Sequence, residues 1–358
     1  MTTLHVLRVF VGPGGSGGNP LGVFLDAAAI DEERRQAVWN GQTSSCQDAA
    51  DGTGRIGCMS LPVIKLEHLT ELPDGRVFEW EAVGEGEPLL WLEGGPGFPA
   101  HLSRPDVNLL GRRFRCYLVN APGCGRTSAP ADPNEYSLLG HARFFDDARR
   151  ALGLDQVVAA GHSWGALVAI AIAASVPQSI GGLLVVDGYA GSGSVDAADA
   201  DAERERALGR LLDRPWFGDA TDALARTFAL TSPTEQEMVD TFAPCWPLYF
   251  GEPESATSRR HIERLRREVR WNVDVSVIWD ARWEAGDYRD LAARVRCPTL
   301  VIAGEHDFIC GPVWNRAVAE AVPGARYVEI AGVGHIPQYE DPDAFLAAVD
   351  DWMATAWK

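Results

Sequence analysis

The feature that most constrains this chain is an alternation. From about residue 63, short apolar runs recur between longer stretches of helical periodicity: "RVFEWEAV", "PLLWLEGG", "FRCYLVNAPG", "VVAAGH", "GGLLVVDG", "PTLVIAGEHD" and "ARYVEIAGVGH". Apolar runs too short for helices read as buried strands, and strands alternating with helices read as a mostly parallel sheet covered on both faces. Helical periodicity is expected over 138–152, 163–176, 313–322 and 341–354. The expected class is therefore α/β, and 358 residues of which 46% are hydrophobic suffice for a substantial core.

The alternation breaks once, between roughly Tyr189 and Leu291. This stretch opens on the Gly/Ser/Asp-rich "GSGSVDAADADAERERALGRLL" and later carries Trp216, Phe217, Trp246, Tyr249, Phe250, Trp271, Trp279 and Trp283. A helical cap over the sheet accounts for both features, because a lid buries apolar surface against its scaffold and lines a pocket. Roughly half or more of these aromatics are expected to form the cap's own core. The expected organisation is an extension over 1–58, a core of 59–189 and 290–358, and a helical cap over 190–289 inserted after the sixth strand.

The formal charge of −18 argues against nucleic acid or an anionic membrane as partner, since both call for clustered Lys and Arg. The longest apolar run, 154–177, is broken by polar residues and falls short of the roughly 20 apolar residues that span a bilayer. The start lacks a basic, apolar and small-residue leader pattern, so the expected location is cytoplasmic. The scattered cysteines, 7 in all with no C-x-x-C pair, suit packed reduced thiols. No metal is expected, because no His, Cys or carboxylate cluster has ligand spacing, and no cofactor is expected either.

Chemistry concentrates in "VVAAGHSWGALVAIA", a strand before Gly161 and a helix after Ser163. In G-x-S-x-G the serine occupies a strained strand-to-helix bend that its small neighbours permit. The bend presents its hydroxyl at the carboxyl end of the sheet, on a helix N-terminus that favours developing negative charge. A serine hydroxyl is a poor nucleophile at neutral pH and needs a base, and the base needs an orienting carboxylate. Downstream strands end near Asp307 and His335, so Ser163 is expected as nucleophile, His335 as general base and then acid, and Asp307 as the orienting acid. Asp187, which also ends a strand, is the alternative acid. The oxyanion of such a reaction needs preorganised N–H donors. The backbone amide of Trp164 follows from the elbow, and Gly95 is expected as the second donor, with Gly94 as its rival. His162 and Glu93 either tune the pocket or bond locally to backbone.

These segments together resemble the α/β-hydrolase superfamily over roughly 63–357. Within it, "GGPGF" at 94–98, "GCGRTSAP" at 123–130, "SWG" at 163–165 and "DFICGP" at 307–312 resemble the proline iminopeptidase-like branch. The resemblance implies an α/β-hydrolase fold and, in this branch, cap carboxylates that hold a substrate's free amine. Three positions depart from the branch: Glu93 replaces His, Asn120-Ala121-Pro122 replaces Asp-Gln-Arg, and His162 replaces Gly. The leading expectation is cleavage of a small amide or N-terminal residue through an acyl-enzyme, with a carboxylesterase or lactonase carrying an aromatic pocket as the alternative. A catalytically silent binding protein on the same scaffold is a third reading.

Residues 4–38 resemble the opening of the PhzF-like isomerases, carried by "GNP" at 18–20 and the apolar strand after it. "GPGGSG" at 12–17 formally matches a dinucleotide loop, but a strand rather than a helix follows it, which rules out that use. Half a fold cannot bury its own core, so 1–58 is expected to be a dispensable remnant, with Met59 the plausible first residue.

Overall fold

The computed structural model describes residues 64–230, 233–282 and 285–356, together with two short strands near the start, β1 (Leu4–Leu7) and β2 (Gly22–Leu25). β1 and β2 pair antiparallel, with Leu4 opposite Leu25. The rest of the PhzF-like stretch, and Trp283 in the cap, lie outside the described residues.

Eight further strands form one sheet: β3 (His68–Glu71), β4 (Val77–Val83), β5 (Glu87–Leu92), β6 (Phe114–Val119), β7 (Val157–His162), β8 (Ile180–Val186), β9 (Thr299–Gly304) and β10 (Arg326–Ile330). Their spatial order is β10-β9-β8-β7-β5-β6-β4-β3. β4 runs antiparallel to both β3 and β6, and the remaining pairings are parallel. The sheet is thus mostly parallel, as the alternation predicts. β3 was not expected: "HLTE" is short, polar and mostly exposed, because it pairs on one side only and needs no apolar face.

Side-chain alternation along the strands builds two separate cores. Leu90, Leu92, Ala159, Leu183, Val185 and Val301 face one side, against the helices Leu138–Ala151, Trp164–Ser175 and Pro312–Ala321. Leu89, Trp91, Val158, Ala160, Leu184, Val186 and Ile302 face the other, against Arg104–Leu110 and Pro342–Ala356. β7 is buried at every position, and so is its following helix from Trp164 to Ala173. A central strand and a helix enclosed on all sides both need unbroken apolar sequence, and this is what 154–177 supplies.

Between β8 and β9 the chain forms helices Ala197–Gly209, Phe217–Phe228, Glu235–Phe242, Ala256–Glu268 and Val273–Arg282, with no strand among the described residues. Their own core contains Phe217, Phe242, Trp246 and Phe250 and joins the sheet domain through Leu102, Phe308 and Ile336. Trp279 is fully buried and packs edge-on against Trp164 at 5.6 Å between ring centroids. Most of the aromatics in this insertion therefore hold it together and fasten it down. No helix among the described residues is long and apolar enough to cross a membrane. The cysteines at 116, 124, 245 and 297 are in no disulfide, and burial pushes the Cys116, Cys124 and Cys245 thiols up to about 12.

Candidate active site

Ser163 sits between β7 and the helix Trp164–Ser175 with φ 55° and ψ −124°, a left-handed conformation for a residue that has a Cβ. Its amide donates to the Val186 carbonyl at 2.9 Å, which ties the bend to β8, and its hydroxyl does not cap the helix. Both flanking glycines are sterically required. A Cβ on Gly161 would come within 2.3 Å of the Gly165 carbonyl oxygen, and one on Gly165 would come within 2.3 Å of the Leu92 carbonyl oxygen. The elbow is packed too tightly against itself and β5 for any side chain there.

His335 follows β10 and is buried. Its Nδ1 donates to Asp307 Oδ2 at 2.7 Å. Asp307 is fully buried just past β9, and its carboxylate also accepts the amides of Ile309 (2.7 Å) and Cys310 (3.1 Å). The His335 backbone is clamped from two sides: its amide donates to the Tyr249 carbonyl at 2.7 Å, and its carbonyl accepts from His162 Nε2 at 2.6 Å. Burial, reinforced by the neighbouring His335 ring, pushes His162 down to about 3. His162 is thus a neutral imidazole with its proton on Nε2 and a bare Nδ1 facing Gly94, where an added Cβ would lie 2.9 Å from Nδ1.

Asp187, the rival acid, has φ 41° at the end of β8 and is fully buried. One oxygen accepts the Gly304 amide at 2.7 Å. Burial first, and then the charge of Asp307 beside it, hold its carboxyl well above the usual range. The structure thus joins His335 to Asp307 and places Asp187 behind that pair. His162, Asp187 and His335 each bring a potential ligand atom within 4.8 Å of the others. Within this group His162 Nε2 bonds the His335 carbonyl, His335 Nδ1 bonds Asp307, and Asp187 accepts the Gly304 amide.

The loop after β5 runs past Ser163, and a Cβ on Gly94 would lie 3.2 Å from that of Ser163. Glu93 distinguishes the two glycine candidates: its Oε1 accepts the Gly94 amide at 2.9 Å. With that amide engaged, the next amide along the loop is that of Gly95. The φ of Gly95 is 56°, and the Phe98 ring lies against its Cα, 2.5 Å from where a Cβ would stand. The sequence marks Glu93 as a departure that either tunes the pocket or bonds locally to backbone, and the structure shows the backbone bond. Its partners, Ser103 and the Gly94 amide, depend on how the following turn folds back.

Aromatic rings arch from this loop to the imidazole. Phe98 meets Trp271 at 4.6 Å and Trp246 at 6.3 Å, Trp246 meets Tyr249 at 5.5 Å, and Tyr249 meets His335 at 5.5 Å, all between centroids. Phe98, Tyr249 and Trp271 keep part of their surface accessible. The carboxylates of the cap behave differently. Among the residues of 190–289 whose side chains are described, each carboxylate is either exposed or, where partly buried, paired with an arginine: Asp201 with Arg204, Glu203 with Arg206, Glu254 with Arg214 and Glu268 with Arg264.

Residues 87–342 match the family described as alpha/beta hydrolase fold. The chain belongs to the alpha/beta hydrolase family. A putative carbamate hydrolase RutD of Azorhizobium caulinodans is 24% identical over 271 residues, 74% of this chain and 91% of the relative. A proline iminopeptidase of Heyndrickxia coagulans is 22% identical over 309 residues, 80% of this chain and 98% of the relative. Among solved structures, the enol-lactonase of Burkholderia xenovorans LB400 superposes with a TM-score of 0.60 at 23% identity, covering 80% of this chain and all of that one (100%). A thermophilic esterase of Thermogutta terrifontis gives 0.59 at 22%, covering 81% and 99%. As an alpha/beta hydrolase the chain is a hydrolase enzyme, within a family that spans several substrate classes.

Proposed function

We propose that this alpha/beta hydrolase is a serine hydrolase that cleaves an acyl bond through an acyl-enzyme on Ser163. The observation that carries the reading is the 2.7 Å bond from His335 Nδ1 to the buried Asp307, in a pair tied through the His335 carbonyl to His162, the residue before a serine on a strained strand-to-helix bend. With Nδ1 engaged, His335 keeps Nε2 as the base that takes the Ser163 proton, and Asp307 stabilises the imidazolium that forms. Ser163 Oγ attacks the acyl carbon, and the amides of Trp164 and Gly95 receive the oxyanion. His335 then protonates the leaving group, and water repeats the sequence to release the acid.

The acyl group we favour is apolar or aromatic, on an ester or lactone. The arch of Phe98, Trp271, Trp246 and Tyr249 supplies apolar surface from the oxyanion loop to His335, while the partly buried cap carboxylates already have cationic partners. Release of an N-terminal residue is the second reading, favoured by "GGPGF" at 94–98 and by the similarity to proline iminopeptidases. Matched substrates separate the two: an arylacetyl ester against an amino-acyl arylamide at equal concentration. Faster ester turnover supports the first reading, and arylamide turnover without ester turnover overturns it. Labelling by a fluorophosphonate, abolished in Ser163→Ala, is expected for either; failure to label refutes the serine mechanism.

A further inference from the structure

The residue before the glycine loop is a carboxylic acid in a place where a negative charge works against an oxyanion. Glu93 leaves the end of β5 and turns back on its own loop: Oε1 accepts the Gly94 amide at 2.9 Å, and the Ser103 hydroxyl donates to Oε2. Asp106, at the start of the helix Arg104–Leu110, is buried and faces the same Ser103 hydroxyl and the Gln338 side chain, three residues beyond His335. A polar row, Gly94 amide, Glu93, Ser103, Asp106 and Gln338, thus runs from the oxyanion loop to the His335 loop. Ser103 has a single proton to donate between two carboxyls, so the row is fully bonded only while a carboxyl proton is retained in it.

Building on the serine-hydrolase reading of Ser163, we propose that Glu93 is a positioning residue whose protonated carboxyl fixes the Gly94 amide so that the Gly95 amide faces the oxyanion, and whose ionisation disables the site. With a proton on Oε2 the Glu93–Ser103 bond runs the other way, Glu93 donating to the Ser103 oxygen and Ser103 to Asp106, while Oε1 still accepts from Gly94 and no charge lies beside the developing alkoxide. Loss of that proton sets a carboxylate one residue from the Gly95 donor, where it opposes the charge that the loop must stabilise. The charged and titratable groups facing Glu93 are Asp106, Arg264 from the cap helix Ala256–Glu268, and the Cys124 thiol from the loop after β6; neutral His162 lies across Gly94. Arg264 is drawn off by Glu268 (3.1 Å) and the Leu102 carbonyl (2.8 Å). Burial, with Asp106 adding to it, pushes Glu93 up to about 8 and outweighs its bonds to Ser103 and Gly94. Neutral solution therefore finds it protonated.

The test compares wild type, Glu93→Gln and Glu93→Ala across pH 6–10 with a neutral aryl ester. Wild-type kcat is expected to fall with a midpoint near 8. In Glu93→Gln, whose amide donates to Ser103 and accepts from Gly94 without titrating, that limb should move up by more than one pH unit. Glu93→Ala should lose roughly tenfold or more in kcat with a smaller change in KM, part of the ~10²–10³-fold cost of removing an oxyanion donor. Glu93→Gln should recover most of that loss. An infrared pH titration of the unlabelled proteins reads the carboxyl proton without turnover: a C=O band lost near 8 in wild type and absent in Glu93→Gln supports the proposal. An unchanged alkaline limb in Glu93→Gln, or a Glu93 band already lost below pH 6, overturns it. A wild type that neither turns over nor labels with fluorophosphonate, yet shows the band, refutes the Ser163 reading and this role together, while leaving the buried proton in place.

Discussion

Ser163 offers a direct measure of what the elbow costs the fold. Its φ of 55° and ψ of −124° lie where a side chain is strained and glycine is at ease. Such a residue costs about 1–3 kcal/mol, and the freer unfolded chain of a glycine variant offsets about 0.4–1 kcal/mol of the relief. Ser163→Gly should therefore be more stable than Ser163→Ala by on the order of 1 kcal/mol, both variants lacking the hydroxyl and differing in the Cβ. Domains of 150–250 residues gain roughly 2–4 °C per kcal/mol, and a longer chain somewhat less, so the expected difference in Tm is about 2 °C. Paired thermal melts and urea titrations of the two variants at pH 7 provide the assay. Equal stability, or a less stable glycine variant, would show that the bend is not strained and would remove the physical reason for a serine held there against its preference.

Other outcomes follow from the acid cluster and the chain's start. Asp307→Asn should lower kcat by up to ~10⁴-fold through the wrong His335 tautomer, whereas Asp187→Asn, an isostere of a carboxyl that bonds the Gly304 amide rather than His335, should keep most of it; the reverse order in steady-state kinetics would reassign the orienting carboxylate. Stability should fall between pH 6.5 and 8, because Glu93 (about 8), Asp106 (about 7) and Glu340 (about 7) hold protons in the fold that the unfolded chain has released. Below 6.5 the neutral buried His141 (about 4), His162 (about 3) and His261 (about 3) work in the opposite direction, since the unfolded chain takes up their protons first, so melts across pH 5–8.5 should show a plateau and then a decline. Deleting 1–58 should leave soluble, active protein; loss of either counts against the view that this stretch is dispensable.

Much of the architecture was readable because the parallel strands are buried on both faces and their helices are continuous in pattern. The helix Leu138–Ala151 lies within one residue of its expected span, and the strand and helix around Ser163 fall where the glycines put them. Gly161 and Gly165 were legible for a packing reason, since their neighbours leave no room for a Cβ. Both Asp307 and Asp187 end strands, so the sequence favours Asp307 while keeping Asp187 as an alternative. The folded geometry bonds Asp307 to His335 and turns Asp187 to the Gly304 amide. β3 escaped because an edge strand needs no apolar alternation, and the partners of Glu93 escaped because Ser103 and Asp106 reach it by a turn that local pattern does not encode.

The insertion fastened by Trp279 leaves only 9% of Ser163 and 4% of His335 accessible. A substrate wider than this residual opening would reach Ser163 only after the insertion moves. For such a substrate, apparent affinity would be weakened by the fraction of time the site stands open, and turnover could not outpace that movement. Loosening the Trp279–Trp164 contact would then trade thermal resistance for faster access.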